Sequence, residues 1–299
     1  MSESTIEQAF LAERPRLFQL AYRMMGTVSD AEDALQDVFV RLRRANPTDV
    51  TAPASYLTRT VVRHCLDQWK SVRRKREQYV GSWLPEPLLS TSDDPSAHQE
   101  LAESVSLAFL VVLEALDPVE RAVFLLHDVF AYPFDEVAAI VERSSPACRQ
   151  LARRAREKVS QRRPRFPASP EEHRRLVDRF LAASRDGDLA GLQKVLSDDV
   201  TLYSDGGGRT PAARVPVEGF DRVSRFLLGL RNKTLRSGQD LAMDRIEVNG
   251  LAAIAVKVAG HLQAVFSFEV DGGRIRRLYS VLNPDKLASF TGAAGKKGD

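Results

Sequence analysis

The sequence predicts a multidomain protein: two all-α domains, a helical bundle and a helix-turn-helix, followed by an α+β domain with a curved antiparallel sheet. Three observations predict it. Over the first 160 residues apolar side chains recur at three- and four-residue spacing, the period of a helix with one buried face. A proline-rich stretch, QRRPRFPASPEEH (161–173), then interrupts the pattern. Beyond it, runs of strand-forming residues alternate and are separated by NG and DGG, both hairpin signals.

The 299 residues are enough for two or three cores, and 43% hydrophobic with 28% charged residues is an ordinary globular composition. No apolar run approaches the roughly 20 residues needed to span a bilayer. The first residues, MSESTIEQAFLAERPRLF, lack the basic start and apolar centre of a secretion signal. Cys65 and Cys148 fit no metal-ligand spacing. These features predict a cytoplasmic protein with no membrane association, no metal and no cofactor.

The net charge of +3 conceals three blocks. Residues 59–76 hold seven Arg/Lys against Asp67, 77–142 hold thirteen Asp/Glu against one Arg, and 143–163 hold eight Arg/Lys against Glu157. Two arginine-dense stretches separated by an acidic one predict two contacts with nucleic acid.

Taken in order, Phe10, Leu17, Phe18, Ala21, Met24 and Met25 mark a first helix that Gly26 ends. SDAE (29–32) reads as a capping box with Ser29 as N-cap. The helix it opens carries Leu35, Val38, Phe39 and Leu42 on one face. NPTDVTAP (46–53) is a loop, and a third helix spans about 54–76, with Arg59, Arg63, Lys70, Arg73 and Arg74 expected to face outward. YVGSWLPEPLL (79–89) cannot be helical, because Pro85 and Pro87 lack donors and fix their own φ. A helix at about 100–116 precedes DPVE (117–120), whose Asp, Pro and Glu suit a helix start. Residues 132–159 then read as helix, short turn, helix, with Ser144 as cap and Cys148, Leu151, Ala152, Ala155 and Val159 on the inner face. A second helix of this kind presents its N-terminal half to the major groove, where Arg and Gln reach guanine and adenine edges.

Past the proline-rich boundary, helices at about 171–185 and 188–196 precede a strand at 199–204, the loop DGGGRT (205–210) and a helix at 219–231. Four strands follow at about 241–248, 251–258, 262–270 and 274–282, with helices expected on one face of the sheet. The glycine loop lacks the spacing and lysine of a phosphate loop, so its glycines are read as permitting positive φ or close approach of another segment.

In this order, the first 163 residues resemble an extracytoplasmic-function (ECF) sigma factor. DAEDALQDVFVRLRRA (30–45) is similar to the family's core-polymerase-binding helix. SYLTRTVVRHCLDQWKSVRR (55–74) is similar to the helix that handles the −10 element, and residues 116–159 to the −35-reading domain. Glu142 stands where the family often has glycine, and Pro133 where a Ser cap is common. The remainder resembles a SnoaL-like domain, a cone-shaped fold. YVGSWLPEP (79–87), DGGG (205–208) and NPDKL (283–287) together resemble the motifs of the group of ECF sigma factors that carries this fused domain.

The resemblance implies a region 2 domain (1–78), a linker (79–99), a region 4 helix-turn-helix domain (100–163), a second linker (164–170), a SnoaL-like regulatory domain (171–290) and a tail (291–299). It implies a protein that is not an enzyme, monomeric when free, whose partners are core RNA polymerase at its β′ clamp region and promoter DNA. Asp33, Leu35, Gln36, Asp37 and Phe39 would face polymerase. Asn46, Arg59, Arg63, Lys70, Arg73 and Arg74 would serve the −10 element, and Arg149, Gln150, Arg153 and Arg154 the −35 element. The linker, through Trp83, Leu84, Pro85, Glu86 and Pro87, is read as a docking peptide whose receptor lies near Asp205, Gly206, Gly207, Gly208 and Arg209, with Asn283, Pro284, Asp285, Lys286 and Leu287 beside it. Two alternatives stay open: a helix-turn-helix regulator whose tail senses a small-molecule ligand, or a tail with cyclase- or isomerase-like chemistry for which Asp205, Asp244 or His261 would be nominated.

Overall fold

A computed structural model of the chain describes residues 5–45, 50–90, 106–162, 164 and 166–293. The chain divides into two compact units, one built from residues 1–77 and 112–162 and the other from 78–111 and 163–299.

The first unit is helical. Helices α1 (Thr5–Met25), α2 (Val28–Ala45) and α3 (Pro53–Glu77) pack together through Leu17, Leu20, Ala21, Leu35, Val38, Leu57 and Val61, all buried. Gly26, at φ 79°, ends α1 as expected. The cap of α2 is not Ser29. Thr27 Oγ1 accepts the Asp30 amide at 3.2 Å, so the helix starts earlier than the SDAE motif suggests. Helix α4 (Leu107–Leu113) crosses the unit boundary. Helix α5 (Pro118–Phe124) begins at the Asp117 capping box and runs into a π-turn over Leu125–Val129. Then α6 (Phe134–Val141) and α7 (Ser145–Ser160) form the helix-turn-helix, with the Ser144 hydroxyl accepting the Ala147 amide. Cys148, Ala152, Ala155 and Val159 are buried, small enough to let α7 approach α5 and α6.

The second unit is α+β. Helices α8 (Pro170–Asp186) and α9 (Leu189–Val195) precede β1 (Leu196–Asp205) and a two-residue β2 (Val217–Glu218). Helix α10 (Phe220–Arg236), strands β3 (Leu241–Val248), β4 (Leu251–Val258), β5 (His261–Asp271) and β6 (Arg274–Val281), and helix α11 (Pro284–Ala293) complete it. The sheet order is β2-β1-β6-β5-β4-β3, antiparallel except for the parallel β1–β6 pair. Register shifts in β1, β4 and β5 are the bulges that bend such a sheet. Asn249 and Gly250 both take positive φ, as the NG hairpin between β3 and β4 requires.

Helices do not cover one face only. One face carries Leu202, Ile254, Phe268 and Leu278 against α8, α9 and α10. The other carries Val248, Ala253, Val265, Tyr279 and Val281 against Leu84 of the linker, Leu107 of α4 and Leu287 of α11. The linker is therefore part of this unit's core, and so is the first half of α4.

Candidate nucleic-acid interface and linker contact

On α2, Asp33, Gln36 and Asp37 are exposed, whereas Phe39 is half-buried with its ring 5.1 Å from that of Phe10. Leu35 is a correction: it is 2% exposed, inside the bundle, because Ala31, Ala34, Leu35, Val38 and Leu42 form the helix's buried stripe. The outward apolar member is Val40, 39% exposed, which follows Asp33, Gln36 and Asp37 at helical spacing. That spacing is visible in the sequence.

Arg59 and Arg63 do not simply face outward. Arg63 donates through Nε to the Ile140 carbonyl and through Nη2 to the Ala139 carbonyl, both at 3.1 Å, and pairs with Glu142 at 2.8 Å. Arg59 reaches the Ala139 carbonyl at 3.3 Å. Two arginines of α3 thus satisfy the free carbonyls at the C-terminus of α6, the negative end of its dipole. Glu142 itself sits at φ 55°, a left-handed position that glycine fills without strain. The side chains of Lys70, Arg73 and Arg74 and the whole of Asn46 lie outside the described residues.

The same seam continues along α3. Arg16 donates to the Tyr132 hydroxyl at 2.9 Å and to Thr58 at 2.8 Å. Arg121, 1% exposed, donates to the Met24 carbonyl at 2.8 Å and to Glu114 at 2.7 Å. Its guanidinium lies 4.4 Å from the Trp69 ring centroid, and that of Arg76, which also pairs with Glu114, lies 4.7 Å from it. Burial lowers the Arg76 pKa, but Glu114 offsets part of that.

Along α7, Arg149, Gln150, Arg153 and Arg154 are all exposed. Arg149 lies over the Phe134 ring at 5.4 Å and Arg153 pairs with Glu157 at 2.9 Å. Arg156 and Lys158 instead tie α7 to Asp128 and Glu120. Cys148 and Cys65 are buried free thiols, and burial pushes Cys65 up to about 12, so neither is poised to react.

In the second unit, Asp205 is the hub of the linker contact. Its carboxylate is fully buried and accepts the Leu84 amide at 2.9 Å, the Tyr79 hydroxyl at 2.5 Å and the Gly207 amide at 3.1 Å. Lys286 Nζ completes it at 2.8 Å and also donates to the Leu84 carbonyl. Asn283 donates to the Tyr79 hydroxyl at 2.8 Å. Lys286 Nζ lies 4.1 Å from the Trp83 ring centroid, a cation–π contact shielded from water. Burial and the adjacent carboxylate push the Tyr79 hydroxyl above its usual range.

Pro85, Glu86 and Pro87 are buried, Leu84 more deeply than Trp83. Farther on, the Asn249 amide donates to the Leu88 carbonyl at 2.8 Å and the Ser90 amide to the Glu247 carbonyl at 3.1 Å, so Leu89 bridges to Val248 on the edge strand β3. No local signal in the sequence marks this second anchor. Gly207 is required here: at φ 62°, a Cβ would fall 2.5 Å from the Asn283 amide nitrogen. Gly206 is closed in by the Thr210 carbonyl, and Gly208 lies against Val80. Arg209 and Asp285 are exposed and pair with each other at 2.9 Å. Pro284 opens α11, and Leu287 fills the core beneath it.

Residues 9–75 match sigma-70 region 2 and residues 106–159 match sigma-70 region 4. Over 298 residues, 96% of this chain and 94% of the relative, the sequence is 39% identical to the ECF RNA polymerase sigma factor SigJ of Mycobacterium tuberculosis. This chain belongs to the ECF sigma factors. A second relative, the probable ECF RNA polymerase sigma factor SigI of the same organism, is 33% identical and covers 94% of each chain. The crystal structure of SigJ superposes with a TM-score of 0.75 at 36% identity, covering 93% of this sigma factor and 96% of that chain. As a sigma factor the protein binds core RNA polymerase and promoter DNA to direct transcription initiation. Among the described residues, no helix is long and apolar enough to cross a membrane and no cluster of three His, Cys, Asp or Glu could hold a metal.

Proposed function

We propose that the C-terminal domain controls this sigma factor in cis by holding the linker that joins its two DNA-reading segments. The observation that carries the reading is the Asp205–Lys286 hub, which clamps Tyr79, Trp83 and Leu84. While the clamp holds, Leu84 and Leu107 belong to the tail's core, so the chain leaving α3 and entering α5 is tethered there. Asp33, Gln36, Asp37 and Phe39 of α2, joined by Val40, face core polymerase at its β′ clamp. Arg149, Gln150, Arg153 and Arg154 read the −35 element. Arg59 and Arg63, with Asn46, Lys70, Arg73 and Arg74, serve the −10 element, and the hydrogen bonds of Arg59 and Arg63 to α6 must break before they do so.

The tail acts in this reading as a clamp and not as a catalyst. The core between sheet and helices is filled by side chains such as Val177, Phe180, Leu202 and Phe268. His173 there spends Nε2 on the Phe268 carbonyl at 3.2 Å. Of the groups nominated for chemistry, Asp205 is committed to the linker, Asp244 pairs with Lys257, and His261 is exposed. Buried free thiols suit a reducing cytoplasm.

Run-off transcription with core polymerase tests the reading, comparing the full chain with full-length Lys286→Met and Trp83→Ala. Changed promoter-dependent transcript yield with unchanged core binding supports cis control. Wild-type yield from both variants refutes it.

A further inference from the structure

The outer face of α10 carries four cations that no other described residue engages. The helix packs inward through Val223 and Ser224 and through Arg231, whose guanidinium donates to the Arg185 carbonyl at 2.6 and 2.9 Å, close to the C-terminal end of α8. At about 100° per residue, Arg222, Arg225, Gly229, Asn232, Lys233 and Arg236 fall on the opposite side within an arc of about 100°. All six are exposed. The helix has one acid, Asp221, and it lies outside the arc.

Arg222, Arg225, Lys233 and Arg236 make no side-chain hydrogen bond or ion pair with any described residue. Several basic residues of the same unit are paired, Arg245 with Asp178, Arg276 with Asp199 and Arg277 with Glu269, whereas the exposed Arg174, Arg175 and Arg179 of α8 resemble the stripe in having no ion pair among the described residues. The stripe from Arg222 to Arg236 is about 21 Å long at 1.5 Å per residue. One strand of a duplex presents a phosphate about every 3.4 Å of axis, so a stripe of that length can reach several. Gly229, at its middle, has nothing within 4 Å of where a Cβ would stand, so a ligand can approach the backbone there.

The chemistry of the arc selects the ligand. Protein-interface centres are enriched in aromatic residues and depleted of lysine, whereas the arc itself has no apolar side chain and the exposed Leu230 and Leu235 of α10 lie to either side of it. Phosphates need only cations and access. Region 2 and region 4 already place the chain on a promoter, so a further weak contact acts at high effective concentration.

We propose that this face of α10 is a phosphate-backbone contact through which the tail holds duplex promoter DNA in the polymerase-bound sigma factor. The proposal rests on the family assignment and is independent of the linker clamp. It is a contact without sequence information, so its signature is salt dependence.

The test uses the full chain with Arg222→Gln, Arg225→Gln, Lys233→Gln and Arg236→Gln combined. All four sites are exposed, and an unchanged melting curve and unchanged core binding verify the fold. Affinity of the holoenzyme for a promoter duplex, selected by the wild-type holoenzyme from a random library, is measured between about 50 and 200 mM salt. The slope of log K against log salt is expected to become shallower by about 0.9 for each phosphate no longer neutralised, hence by about 2 to 4. A DNA-cleaving iron chelate tethered at Gly229→Cys is expected to cut the promoter in the complex; the native cysteines are buried. An unchanged slope with no cleavage overturns the proposal. So does an unchanged slope with weakened binding to core polymerase, which would make the face a protein contact.

Discussion

Replacing Lys286 with methionine keeps the length of the side chain and removes one charge from the linker clamp. Asp205 would be left fully buried without its cation, holding only the Leu84 amide, the Tyr79 hydroxyl and the Gly207 amide. Removing one partner of a buried pair costs about 3–5 kcal/mol, and three remaining donors favour the lower end. At about 1.4 kcal/mol per factor of ten, opening of the linker becomes roughly a hundredfold more frequent. Hydrogen exchange reads this directly at the Leu84 amide, whose bond is to Asp205 itself, with amides of β5 as the internal control. Local release predicts lost protection at Leu84 and unchanged protection at Phe268. Asp205→Asn combined with Lys286→Met should lose less than the sum of the single changes, because the double variant buries no uncompensated charge. Wild-type exchange at Leu84 in Lys286→Met, or strict additivity in the cycle, would refute the reasoning.

Three further outcomes are expected. Glu142→Gly relieves a left-handed residue worth about 1–2 kcal/mol and removes a half-exposed pair with Arg63 worth at most about 1 kcal/mol, so the first unit gains up to about 1 kcal/mol. Urea unfolding followed by Trp69 fluorescence in a Trp83→Phe background checks it, and a loss above about 1 kcal/mol contradicts it. Gly207→Ala drives a methyl group into Asn283 at φ 62°, and should destabilise the second unit by about 1–3 kcal/mol while loosening residues 79–90; limited proteolysis of the linker reports this, and an unchanged cleavage rate argues against it. Burial depresses the pKa of His173, so its contribution is fully present above the unfolded histidine value near 6.5 and is lost as pH falls through the lower folded value. His173→Gln should therefore flatten the decline of Tm between about pH 7.5 and 5, relative to wild type; parallel curves would remove His173 as the cause.

Local signals place most elements of this protein, and non-local pairing accounts for the rest. Strands β3 to β6 lie within a residue of their expected bounds, because alternation and the NG and DGG turns are written in adjacent residues. The AG turn at Ala259–Gly260 is less legible, since Ala259 takes φ 48° without being glycine. Nothing local announces that β1 pairs in parallel with β6, far along the chain, or that Val217–Glu218 extends the sheet. Helix α11 is legible only as the motif NPDKL.

For the candidate sites, helical period separates Asp33 and Gln36 from the buried Leu35, but it cannot show that Arg59 and Arg63 find carbonyls on a helix distant in sequence. The Asp205–Lys286 pair joins residues 81 apart in sequence, and only folding brings them to the linker. Charge identifies a surface as cationic; it takes the partners to show which cations are already engaged.

Chain order gives the linker grip a mechanical meaning. Because residues 78–111 and 163–299 fall in one compact unit, the chain enters the helix-turn-helix segment 112–162 from that unit and returns to it afterwards. A segment joined at one end only is limited by a single connection, whereas this segment is joined to the second unit at both of its ends. Under the proposed cis control, lengthening the connection at residue 111 means peeling Leu107 and Leu84 from the core they share with the sheet. Under that proposal the tail's grip on Leu84 and Leu107 acts as a catch, and its strength sets how readily the connection lengthens.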